Sequence, residues 1–152
     1  MKKTIPEFNI RFARKEDMEA IRGLVVKLAI FEKEPEAVTA SIDDYYRSFE
    51  DGLIHMLVAV IMDKIVGMTL FYDTFSTWKG KMLYLEDFVI DEAYRGQGIG
   101  DKLFKETLRA AKDRGCVMMK WQVLDWNTRA TKFYLNHGAT IEKEWWNGKI
   151  IF

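Results

Sequence analysis

The run Tyr94-Arg95-Gly96-Gln97-Gly98-Ile99-Gly100 sets three glycines at alternate positions, between an apolar β-type segment and an amphipathic helical one. Glycines let the backbone turn tightly and approach a ligand, and a helix starting there aims unpaired N–H groups and the positive end of its dipole outward. That combination cradles a phosphate. Two other glycine-rich cradles are excluded: Gly-x-x-x-x-Gly-Lys-Ser/Thr is absent, and Asp101 stands where Gly-x-Gly-x-x-Gly needs its last glycine. A nucleotide triphosphatase or dinucleotide enzyme is therefore disfavoured. Just upstream, Leu85-Glu86-Asp87-Phe88 places two carboxylates side by side. Strand alternation puts Glu86 with Tyr84 and Phe88 on one face and Leu85 with Asp87 on the other. The two acids can face one cleft only if a bulge intervenes.

The elements that must hold these groups follow from periodicity. Asn9 to Ala13 suits an opening strand, and Ile21, Leu24, Val25, Leu28 and Phe31 recur at helical spacing before Pro35. Ser41 with Asp44 three residues on is a capping pair for a helix through Phe49. His55–Met62 and Ile65–Tyr72 read as a hairpin turning at Asp63-Lys64, and Lys81–Ile90 as a third strand. A helix from Gly98 to near Gly115, a strand Val117–Leu124, a helix Asn127–Asn136 and a closing strand Ile150–Phe152 complete the order. Strands interleaved with helices predict an α/β mixed sheet flanked by helices.

Composition narrows the class of protein. The 152 residues are 49% hydrophobic and 14% aromatic, which suits one domain, residues 1–152, burying roughly two thirds of its unfolded surface. Lys plus Arg and Asp plus Glu each total 23, so no global field recruits nucleic acid or an anionic membrane. Within that neutrality, Glu32, Glu34, Glu36, Asp43, Asp44, Glu50 and Asp51 face only Lys33 and Arg47 over one stretch, whereas Arg95 to Gly115 is basic. With Cys116 alone and two distant histidines, neither a disulfide nor a metal centre is expected. The longest apolar stretch, Met56 to Met62, is too short to span a bilayer, and the charged start Met1 to Glu7 shows no secretory signal; a cytoplasmic protein is expected.

Arg95, Gln97, Gly98 and Gly100, in the frame Arg/Gln-x-x-Gly-x-Gly/Ala, resemble the pyrophosphate loop of the GNAT family of N-acetyltransferases. Leu83-Tyr84-Leu85-Glu86-Asp87-Phe88, Tyr94-Arg95-Gly96, Trp126-Asn127 and Phe133-Tyr134 look like its diamine acetyltransferase branch, which includes spermidine/spermine and thialysine enzymes. The resemblance covers essentially the whole chain. It implies the GNAT fold, with parallel strands that splay apart, and acetyl-CoA as donor to a small cationic amine, with no metal. It implies a diphosphate held by Arg95, Gly96, Gln97, Gly98, Ile99, Gly100 and Asp101, and a pantetheine arm along Phe88, Val89 and Ile90 and at Asn127. A homodimer is implied too, with Trp145, Trp146 and Ile150–Phe152 as an apolar C-terminal segment; tryptophans are equally good core.

The chemistry asks for a base, because an alkyl ammonium has no lone pair with which to attack a thioester. Glu86 is the candidate, acting directly or through water, and Tyr134 is the resemblance's candidate acid for the leaving thiolate. Tyr134 taken alone reads as core, and Asn127 as a helix cap. The resemblance gives Phe31, Glu32, Ser76, Trp78, Glu86 and Asp87 to the amine substrate. Ser76 stands where polyamine enzymes carry an aspartate and Phe31 where they carry a tyrosine, which favours a thialysine-like or lysine-like amine. The alternatives are transfer to a protein or other amine, and a CoA-binding module without turnover. Cys116 is assigned to strand packing.

Overall fold

A computed structural model describes residues 6–152; of the charged start, residues 1–5 lie outside the described residues. The chain resolves into two compact units, one through Trp121 and one from Gln122 to Phe152.

The first unit holds β1 (Asn9–Phe12), α1 (Met18–Phe31), α2 (Ile42–Glu50), β2 (His55–Ile61), β3 (Lys64–Ser76), β4 (Gly80–Ile90), α3 (Ile99–Asp113) and β5 (Met118–Trp121). Their sheet runs in the order β1-β2-β3-β4-β5, antiparallel except for the parallel pair β4–β5. Residues 56–61 of β2 and 66–71 of β3 are buried throughout, as expected of segments covered on both faces, whereas the far half of β3 is partly exposed. On one face Met18, Ile21 and Leu24 of α1 pack on Met56, Val58, Met68, Leu70 and Val89, with Tyr45 and Phe49 of α2 against them. On the other, Ile99 of α3 meets Ala59, Ile61 and Val66, Phe104 stacks on Phe88 at 5.8 Å, and Thr107 bonds Thr69 at 2.8 Å. Each fully buried large apolar side chain contributes about 1.5–3 kcal/mol. The Thr69–Thr107 bond keeps two buried hydroxyls satisfied.

Sequence reasoning located α2 by its capping box: Ser41 Oγ accepts from Asp44 N at 3.1 Å and Asp44 Oδ2 from Ser41 N at 2.7 Å. Several expectations need correction. The β2–β3 hairpin turns at Met62 and Asp63, with φ of 47° and 64°, not at Asp63-Lys64; two left-handed residues are what a two-residue turn between twisted strands demands. The strand expected over Val117–Leu124 spans only Met118–Trp121. Ile150–Phe152 form no strand, and their side chains are exposed; a run of three residues brings too few ladder bonds to order itself. Cys116 is not an interior strand residue. It lies between α3 and β5, half-buried, where its N–H bonds Ala111 O at 3.0 Å, and burial pushes its thiol pKa up.

The second unit contains α4 (Thr128–Asn136), capped by Asn127, whose side-chain oxygen accepts from Ala130 N at 3.2 Å. Among the described residues no helix is long and apolar enough to cross a membrane.

Candidate active site

The register of β3 on β4 breaks beside the two acids. Phe71 pairs with Leu85 but Leu70 pairs with Asp87, so Glu86 is an extra residue on β4. A bulge reverses the alternation beyond it. Phe88, expected on the face of Glu86, instead stacks on Phe104 of α3, and Asp87, expected with Leu85, shares the face of Leu70 and Val89. Glu86 and Asp87 therefore both lie on the α1–α2 face.

Their neighbours on that face are tyrosines. The Tyr72 hydroxyl donates to Glu86 Oε2 at 2.8 Å, and Tyr72 stacks on its cross-strand partner Tyr84 at 5.5 Å. Asp87 is raised from 3.8 to about 6, first by burial and then by the negative charges of Glu86 and Glu32. Burial also raises Glu32, at the end of α1. Burial, followed by the charge of Asp87, raises the Tyr45 phenol on α2. Among the described residues no ion pair engages Glu32, Glu86 or Asp87, so the cluster presents negative charge that a cation can compensate.

The structure thus brings together Glu32, Glu86 and Asp87 and leaves Ser76 and Trp78 apart. Ser76 lies about 13 Å beyond Tyr72 along β3 at roughly 3.3 Å per residue. Its Oγ is occupied in the β3–β4 turn, accepting from Trp78 N at 3.3 Å and Lys79 N at 3.1 Å. Trp78 stands exposed at that tip. Tyr72, Tyr84 and Tyr45 were missed by sequence reasoning as site residues. The signal for Tyr72 and Tyr84 was their alternation within strands already assigned; for Tyr45 there was none.

The glycine loop follows β4. The parallel register ends at Leu85↔Trp121, and β4 runs on from Glu86 to Ile90 past it. Phe88, Val89 and Ile90 lie in that stretch, beyond the last residue paired with β5. Gly98 is the N-cap of α3 in the left-handed region, φ 80°, and Gly96 has φ 78°. A Cβ on either would meet no atom within 4 Å, so the space over them is open. No side chain caps the helix at Gly98, so the first turn of α3, from Ile99, presents main-chain N–H groups at the end of the loop. The loop is anchored at its entry: Asp91 pairs with Lys27 of α1 at 3.0 Å, and Arg95 Nε donates to Ile90 O at 3.2 Å while its guanidinium sits 5.7 Å from the Phe31 ring centre. The Gln97 amide oxygen is buried without a hydrogen bond. Rotating that amide would turn a donor toward the same place. The Asp101 carboxylate pairs with Lys105 of the same helix at 2.9 Å.

In the second unit Tyr134 is buried on α4, its ring edge-on to Phe133 at 5.7 Å, and Asn127 is the cap already described. Among the described residues no group of three or more His, Cys, Asp or Glu side chains is arranged so that it could hold a metal ion.

Comparisons with known proteins bear on the family and the fold. A profile described as the acetyltransferase (GNAT) family matches residues 18–139. The thialysine N-epsilon-acetyltransferase of Bos taurus is 38% identical over 91% of this chain and 88% of its own. The spermidine/spermine N(1)-acetyltransferase-like protein 1 of Homo sapiens is 34% identical over 87% of this chain and 20% of its own. Among solved structures, an aminoglycoside acetyltransferase from an uncultured soil sample superposes with a TM-score of 0.79 at 19% identity, covering 95% of this chain and 96% of that one, which speaks to the fold. The chain belongs to the GNAT family of acetyltransferases. The family's donor is acetyl-CoA, and the open, uncapped glycine cradle fits its diphosphate.

Proposed function

We propose that this protein transfers acetyl from acetyl-CoA directly to a primary amine of a small cationic acceptor, thialysine-like or lysine-like in the first place and otherwise a diamine or polyamine. The observation that carries this reading is the bulge that turns Glu86 and Asp87 onto one face, unpaired and close to Glu32. Three acids without a basic partner favour an ammonium ion. The similarity to the thialysine enzyme points to the same class of acceptor.

Bound acetyl-CoA supplies a thioester as acyl donor. Glu32 and Asp87 hold the cationic amine by charge, and Glu86, directly or through one water, takes the proton that blocks attack. Arg95, Gly96, Gln97, Gly98, Ile99, Gly100 and Asp101 fix the diphosphate, and the open edge of Phe88, Val89 and Ile90 and the amide of Asn127 align the pantetheine arm. Tyr134 returns a proton to the departing thiolate. Phe31, stacked under Arg95, lines the approach, whereas Ser76 and Trp78 enter only where a second subunit brings its turn to the site. That reading includes a homodimer, supported by exposed Trp145, Trp146, Ile150, Ile151 and Phe152, and a single acetyltransferase domain, supported by a family match that crosses both compact units. A reducing, cytoplasmic setting suits the lone Cys116.

Acetyl-CoA consumption measured against lysine analogues, diamines, polyamines and a lysine-bearing peptide tests the proposal. Turnover with the small amines is expected. Turnover with the peptide alone would make it a protein acetyltransferase, and CoA binding without turnover would make it a binding module; either overturns the reading. Sedimentation tests the dimer, and a monomer at all concentrations rejects it.

A further inference from the structure

Among the described residues the hydroxyl of Tyr72 is the one side-chain donor that reaches the proposed base, and the bulge is what lets it do so. In unbroken pairing Tyr72 faces Tyr84, and Glu86 is its diagonal neighbour along β4. Inserting Glu86 as the extra residue brings its carboxylate to the Tyr72 hydroxyl at 2.8 Å, while the 5.5 Å stack on Tyr84 holds the Tyr72 ring. Glu86 is exposed and has three side-chain torsions to lose. With Oε2 fixed by the phenol, Oε1 is left with a defined direction and no hydrogen bond among the described residues.

We propose that Tyr72 is a positioning residue for acetyl transfer: its hydroxyl pins one oxygen of Glu86 so that the other receives the proton of the incoming ammonium. This rests on the reading of Glu86 as the base. The phenol suits the task. Burial, then the Glu86 carboxylate, hold its pKa far above that of an ordinary tyrosine, so it remains a donor at every pH at which the amine reacts. A donor that never gives up its proton orients the carboxylate without competing for the substrate's proton. Misplacing a reacting group by about 1 Å can cost about 100-fold in rate, so the loss of one orienting bond has room to matter.

The experiment is a double-mutant cycle on the full chain, read as kcat and KM for both substrates with lysine analogue and diamine acceptors. Tyr72→Phe is expected to lower kcat by about 10-fold with KM for acetyl-CoA unchanged. In a Glu86→Gln background the same substitution is expected to change kcat by less than about 2-fold, because the group it positions is gone. A purely structural role would lower kcat by the same factor in both backgrounds and would overturn the proposal while leaving the base in place. Unchanged kcat in Tyr72→Phe would overturn it as well. Parent-like turnover in Glu86→Gln alone would reject the base, and the proposal with it. Tyr72→His, which restores a donor, is expected to recover part of the rate; melting curves of each variant confirm that folded enzyme is compared.

Discussion

Glu86 and Asp87 are consecutive in the chain and yet share one face of the sheet, because Leu85 pairs with Phe71 while Asp87 pairs with Leu70. Asp87 is the member withdrawn from water, and it titrates near 6 rather than 3.8. Its folded pKa lies above its unfolded one. The stability this contributes is therefore fully present below about 3.8 and is lost as pH rises through about 6. At about 1.4 kcal/mol per unit, the ionised carboxylate costs the free enzyme up to about 3 kcal/mol above pH 6. Asp87→Asn is expected to melt higher than the parent at pH 7.5, with the gap closing toward pH 4, and to bind the amine more weakly. Parallel melting curves from pH 4 to pH 8 would refute the assignment.

The glycine loop makes an independent prediction. Alanine at Gly98 must keep a left-handed φ near 80°, which costs an L-residue about 1–2 kcal/mol, or must move the start of α3. Gly98→Ala is expected to raise the calorimetric Kd for CoA by about 10-fold, which follows from about 1.4 kcal/mol, with KM for the amine little changed. Equal loss for both substrates would mean that the loop serves the fold rather than the donor.

These two features differ in how far the sequence disclosed them. A left-handed N-cap at the start of a helix calls for glycine, so Gly96 and Gly98 advertise their geometry in their identity. The Ser41–Asp44 box does the same for α2. The bulge has no such mark: Glu86 is an ordinary strand residue, and its extra place arises only from the register against β3, which is a tertiary choice. Reading strict alternation across it misplaced both Asp87 and Phe88. Tyr72 escaped for the same reason, since its link to Glu86 depends on that register. The turn role of Ser76 was hidden because a hydroxyl that caps a hairpin and one that meets a ligand look alike in sequence.

Tyr134 is the proposed acid, and Tyr134→Phe removes its proton while keeping the ring that packs against Phe133. A drop in kcat of about 10²–10⁴-fold is expected when chemistry limits the rate, with little change in melting temperature. An unchanged single-turnover rate would strip the residue of this role and leave it as core.

Arg114 clasps Asp73 with Nη2 at 2.6 Å and Nε at 2.9 Å, and Nη2 also lies 3.2 Å from His55 Nε2, so a residue ending α3 ties together the start of β2 and the far half of β3. The guanidinium donates to Nε2, which requires a neutral ring, and burial followed by the Arg114 charge lowers the His55 pKa from 6.5. A histidine with a depressed folded pKa contributes stability above about 6.5 that is lost as pH falls through the folded value. Asp73, held below 3.8 chiefly by Arg114, acts in the same sense at lower pH still. Both groups are partly exposed, so the Arg114–Asp73 pair is worth about 1 kcal/mol after screening by water and salt. His55→Gln is expected to lose less stability than the parent between pH 6.5 and pH 5, and Asp73→Asn to be destabilised at pH 7 by about that 1 kcal/mol, with the deficit vanishing in stronger acid. Chemical denaturation at a series of pH values measures both. A His55→Gln profile that tracks the parent through that window would show that Arg114 holds Asp73 alone.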